Sequence, residues 1–123
     1  MAMGSGSAGQ GTALILILLC FLLRAESAKF TVGDSSGWSF GASSWPKGKS
    51  FMAGDVLVFN YDPSVHNVVA VSSAGYSSCT TPGGAKVYSS GSDEVTLVKG
   101  TNYFVCNFAG HCESGMKIAV TAV

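Results

Sequence analysis

From residue 29 to its end the chain is cut into short runs of β-branched and aromatic residues by clusters of glycine, proline, serine and aspartate. The runs are KFTV (29–32), DVLVFNY (55–61), HNVVAVS (66–72), DEVTLVKG (93–100), NYFVCNF (102–108) and MKIAVTAV (116–123). Several alternate apolar and polar residues with period two, the mark of a strand with one buried face. Between them lie turn-formers such as GDSSG, YDPS and TPGG. No stretch sustains a helical period, so almost no helix is predicted. Six short strands in so little chain predict an all-β fold, an antiparallel sandwich or small barrel. Residues 41–54 are irregular and read equally as a loop or a single helical turn.

The start of the chain reads as something else. Residues 13–23, ALILILLCFLL, form an apolar run of eleven. That is the length of a signal-peptide core and too short for a membrane span. Small residues at Ala25 and Ser27 occupy the −3 and −1 positions for cleavage before Ala28, which predicts a signal peptide over 1–27 and a domain of 96 residues over 28–123. The C-terminus has no apolar tail of the kind a lipid-anchor signal needs. A secreted protein with no stable membrane anchor is therefore expected. Residues 28–123 carry six Lys/Arg against six Asp/Glu, so no basic field draws the domain to nucleic acid or to an anionic membrane. No long apolar face asks for a partner copy, and a monomer is expected.

After cleavage three cysteines remain, Cys79, Cys106 and Cys112. An odd number in an oxidising compartment leaves one thiol to be explained. Two of them fall in CNFAGHCESGM (106–116) with His111 and Met116, and the only other histidine is His66. Alone, His66 reads as a solvated turn residue and Met116 as core filler; together with Cys106 and His111 they ask for a shared account. A local Cys106–Cys112 disulfide leaves both histidines and the methionine without a role. Pairing Cys79 with Cys112 instead closes a loop of 34 residues, worth roughly 3–4 kcal/mol by chain entropy, and frees Cys106. A zinc site of His66, Cys106, His111 and Cys112 suffers from the adjacency of 111 and 112 and gives Met116 nothing to do. A nucleophilic Cys106 with His66 or His111 as base would expose a reactive thiol to an oxidising medium. Copper uses all four of His66, Cys106, His111 and Met116: two imidazoles, a thiolate and a weak axial thioether make a blue-copper set, and the metal occupies the odd thiol.

Through SGWSFGASSWPKGKSFMAGDVLVFNYDPSVHNVVAV (36–71), TPGGAKVYSSG (81–91) and NYFVCNFAGHCESGMKIAV (102–120) the chain resembles the phytocyanins, plant members of the cupredoxins, and within them the plantacyanins or basic blue proteins. The resemblance implies a Greek-key β-sandwich holding one type 1 copper ion through His66, Cys106, His111 and Met116, and a disulfide between Cys79 and Cys112. Met116 at the axial position is similar to plantacyanins and uclacyanins; stellacyanins carry Gln there. The C-terminal histidine of such sites is an electron port, a role that falls to His111. Asn67, beside His66, is a candidate for tying the ligand loops together, with turn capping as the plainer reading. The implied function is one-electron transfer by Cu(II)/Cu(I) cycling, without enzymatic activity, to an extracellular redox partner in the apoplast or cell wall. The alternative is an extracellular signalling or wall-interaction protein in plant reproduction or wall biology, in which copper is structural or incidental. Plantacyanins are usually basic, whereas this domain is formally neutral, so charge-driven docking on an acidic partner is not carried over.

Overall fold

Period-two alternation becomes burial with the same period. In the computed structural model, which describes residues 27–123, β2 (Val56–Asn60) turns Leu57 and Phe59 inward, β5 (Ser92–Thr96) turns Asp93 and Val95 inward, and β7 (Lys117–Ala122) buries Ile118, Val120 and Ala122. The expected leader lies outside the described residues except for Ser27.

Two sheets face one another. One has the order β1-β2-β5, with β1 spanning Lys29–Thr31; the other has the order β4-β3-β6-β7, with β3 at Val68–Val71, β4 at Val87–Tyr88 and β6 at Gly100–Val105. The chain crosses between sheets after β2, after β4 and after β5, which gives the Greek-key sandwich expected from the sequence. One pairing departs from the antiparallel expectation: β1 runs parallel to β2, with Phe30 opposite Leu57. This is possible because the long segment between them, with its single 3-10 turns at Asp34–Ser36 and Ala42–Ser44, returns beside β7, where Phe51 bridges Ala122, before β2 begins. The second of these turns lies within the stretch that read as irregular.

Two elements went unforeseen. A six-residue helix, α1 (Ser73–Ser78), follows β3 and is capped by Ser72 Oγ, which accepts from Gly75 N at 3.1 Å. The two-residue β4 is too short to leave a pattern. The strand expected over 102–108 stops at Val105, so Cys106 stands just beyond its end, and the strand expected from residue 66 begins at Val68, which leaves His66 and Asn67 in the preceding loop.

The core is aromatic at its centre. Trp38 meets Phe59 edge to face at 5.1 Å between ring centroids, and Phe59 meets Phe104 at 5.3 Å. The buried Trp38 indole donates to the main-chain carbonyl of Asn67 at 2.9 Å. That bond fixes the His66 loop to the centre of the molecule.

Candidate metal centre

Three loops meet at one end of the sandwich. Asp62 builds the first: its carbonyl accepts from His66 N at 3.1 Å, and its carboxylate accepts from Ser64 N and Oγ at 3.0 and 2.7 Å. The turn so formed delivers His66 just before β3. The second is the hairpin loop from β6 to β7. Cys106 N donates to Met116 O at 3.1 Å, Met116 N to His111 O at 3.0 Å, and His111 N to Phe108 O at 3.0 Å, so the loop is closed at its base and folded across its middle. Gly115 has φ +104, and a Cβ there would stand 2.9 Å from Phe40 O; only glycine fits both demands. The third loop contributes Phe40, 44% exposed, with ring centroids 5.0 Å from His111 and 5.7 Å from His66. Phe108 stacks on His111 with ring centroids 5.8 Å apart.

Within this frame His66 Nδ1 and His111 Nδ1 are 3.1 Å apart, and Cys106 Sγ lies 3.9 Å from the first and 3.5 Å from the second. The point equidistant from the three atoms lies about 2 Å from each, the length of a bond between a metal ion and an imidazole nitrogen. Two imidazoles and a thiol sulfur of this spacing could hold a metal ion, and among the described residues this is the one such group of histidines, cysteines and carboxylates. Cys106 is fully buried and the histidines are partly so. Burial pushes the His66 imidazole below its ordinary pKa, the neighbouring His111 adds to the effect, and Asp62 opposes it. The neutral ring favoured in this way is the form that binds metal. Met116 is buried in the same core cluster as Cys106.

Cys112 is bonded to Cys79, with Cα atoms 5.7 Å apart, and among the described residues Cys106 is the free cysteine. That removes the local Cys106–Cys112 disulfide and the zinc set containing Cys112. The bond ties the residue after His111 to the left-handed C-cap of α1.

Asn67 Nδ2 donates to Asn107 Oδ1 at 2.6 Å, and Asn107 N donates to Asn67 Oδ1 at 2.9 Å. The residue after His66 is thus joined to the residue after Cys106. Asn107 and Phe40 were not singled out from the sequence. The first has a signal in retrospect, an asparagine directly after each of two candidate ligands; Phe40 lies at the edge of an irregular stretch and has none.

Comparison with known proteins agrees with this geometry. A family profile described as "Plastocyanin-like domain" matches residues 38–116. Chemocyanin from Lilium longiflorum is 57% identical over 125 residues, 99% of this chain and 99% of that one. Basic blue protein from Cucumis sativus is 62% identical over 96 residues, 78% of this chain and all of its own. The solved structure titled "cucumber basic protein, a blue copper protein" superposes with a TM-score of 0.77 at 62% identity, over 78% of this chain and the whole of that one.

Proposed function

The chain belongs to the phytocyanins, blue copper proteins of the cupredoxin superfamily, and from that membership we propose that it is a secreted one-electron carrier that binds one copper ion through His66, Cys106, His111 and Met116. The observation that carries the reading is the triangle of Cys106 Sγ and the two Nδ1 atoms, sized for one metal ion. Copper, when bound, supplies a Cu(II)/Cu(I) couple suited to a mixed sulfur and nitrogen donor set.

The protein's own part is to hold the donors still. The base of the hairpin loop is closed by the Cys106–Met116 bond, its middle is tied to α1 by the disulfide, and Asn67 with Asn107 links it to the His66 loop. Donors restrained from three directions keep one arrangement in both charge states, which keeps the reorganisation on electron transfer small. The buried Cys106 is shielded from water and oxidants. His111, in contact with the exposed Phe40 and the partly buried Phe108, offers an apolar route for the electron to an extracellular partner. With the donor positions filled by protein, transfer is outer-sphere and no substrate position is left open. Secretion rests on the apolar run at 13–23 and on the small residues before Ala28.

The test is a visible absorption titration of the domain with Cu(II). An intense thiolate-to-copper band that saturates at one equivalent and is lost in Cys106→Ser supports the site; no band in folded, disulfide-bonded protein refutes it.

A further inference from the structure

Buried carboxylates are costly unless they are paired or fully hydrogen-bonded. Asp55, only 5% exposed, directly precedes β2. Its Oδ2 accepts from Met52 N at 2.8 Å, and its Oδ1 accepts from the main-chain nitrogen of Ala28 at 3.0 Å. Ala28 is held there from its other side as well, because Val56 N donates to Ala28 O at 2.9 Å. No side-chain cation serves Asp55: among the described residues the one ion pair joins Lys29 to Glu94 on the surface. Asp93, the other buried aspartate, differs in being bonded by the Tyr61 and Ser90 hydroxyls.

The nitrogen facing Asp55 is an amide in the unprocessed chain and an ammonium in a chain that begins at Ala28. The whole length of the cucumber relative aligns over 96 residues, the number from Ala28 to Val123. We infer that Asp55 is a built-in receptor for the α-ammonium group released when the leader is cut before Ala28, so that processing itself completes an ion pair at the start of β1. This rests on the leader reading made under the proposed function. The register is demanding. Cutting one residue later removes the nitrogen, and cutting one residue earlier moves the charge by about 3.8 Å. The pair also lies at the end of the sandwich away from the metal donors, since β2 runs from Asp55 towards the His66 loop. It bears on stability and leaves the metal chemistry alone.

The experiment compares residues 28–123 released with Ala28 as the first residue and the same domain with Gly-Ser placed before Ala28, which keeps an amide donor and removes the charge. The cucumber structure, matched over its whole length, shows that a domain of this extent folds alone. A charge-assisted bond in place of a neutral one raises the folded-to-unfolded ratio about fivefold, a rise of roughly 0.5 M in urea midpoint. The advantage of the Ala28 start shrinks in 1 M NaCl and disappears in Asp55→Asn, while the copper-loaded visible spectra of all forms coincide. Equal midpoints for the two starts overturn the ion pair, as does an advantage indifferent to both salt and Asp55→Asn. The salt comparison decides the matter even if Asp55→Asn does not fold. Terminal sequencing of the secreted protein tests the leader separately: a first residue other than Ala28 refutes the processing step whatever the urea curves show.

Discussion

Replacing both Cys79 and Cys112 with alanine removes the cross-link between α1 and the hairpin loop, and its cost can be worked from the chain it closes. The two cysteines are 33 positions apart. Losing that loop constraint from the unfolded ensemble costs about 4 kcal/mol by chain entropy. A domain of this size has a total stability of roughly 5–15 kcal/mol, so the variant keeps its fold with a narrow margin. With a urea slope of about 2 kcal/mol/M, the midpoint falls by about 2 M. The measurement belongs on metal-free protein in the presence of a chelator, because copper bound only to the folded state would add its own stabilisation and blur the difference. A second readout is local. Cys112 follows His111, so the freed loop should bind Cu(II) more weakly while still giving a blue band, because the base of the loop remains closed through Cys106 and Met116. A midpoint drop below about 0.5 M, with an unchanged urea slope, would refute the reasoning.

Other perturbations test other parts. Asn67→Ala strips the Asn107 amide of its acceptor and should cost about 1–3 kcal/mol by urea unfolding; copper affinity should fall about 10–100-fold by competitive titration, because the ligand loops lose their tie. Gly115→Ala places a Cβ 2.9 Å from Phe40 O at φ +104, whereas Gly110→Ala, at φ +79, meets nothing within 4 Å. The first should therefore destabilise by at least about 1 kcal/mol more than the second, whose cost is the left-handed backbone alone. Tyr61, raised to about 12 by burial and by its bond to Asp93, should give an ultraviolet ionisation step near that pH that is absent in Tyr61→Phe. Its folded value lies above the unfolded one, so its contribution to stability is complete below about pH 10 and is lost towards pH 12; unfolding curves of the wild type and Tyr61→Phe should converge across that window.

Much of this was legible in the chain because each signal rested on one local cause. VLVFN and KIAVTA alternate, and the alternation became burial. Cys106 and His111 sit five residues apart where two strand runs join, so a hairpin loop had to bring them close. The disulfide between Cys79 and Cys112 followed from the family resemblance and stands in the structure. What escaped lacked such a cause. SAGYSS has no apolar stripe, and α1 depends on the Ser72 cap and on packing of Tyr76 beside the disulfide. The parallel pairing of β1 is decided by the crossing segment before β2, which no three-residue run could announce. Phe40 reaches the histidines only because Gly115 lets its backbone approach. Asn107 is a loop asparagine until it is seen to share two hydrogen bonds with Asn67.

The hairpin loop is clamped at its root: Val105 pairs with Lys117, and Cys106 N meets Met116 O directly above that rung. The exposed positions between those two residues are therefore mechanically a cassette. Its exposed positions Ala109, Glu113 and Ser114 can be rewritten without slipping the register of β6 on β7, whereas Asn107, His111, the buried Cys112 and Gly115 are held by their own contacts. A lineage can thus retune the donor environment and the surface presented to a partner while the scaffold stays unchanged. Designers inherit the same freedom, provided that Cys106, Asn107, His111, Cys112, Gly115, Met116 and the rung below them are left in place.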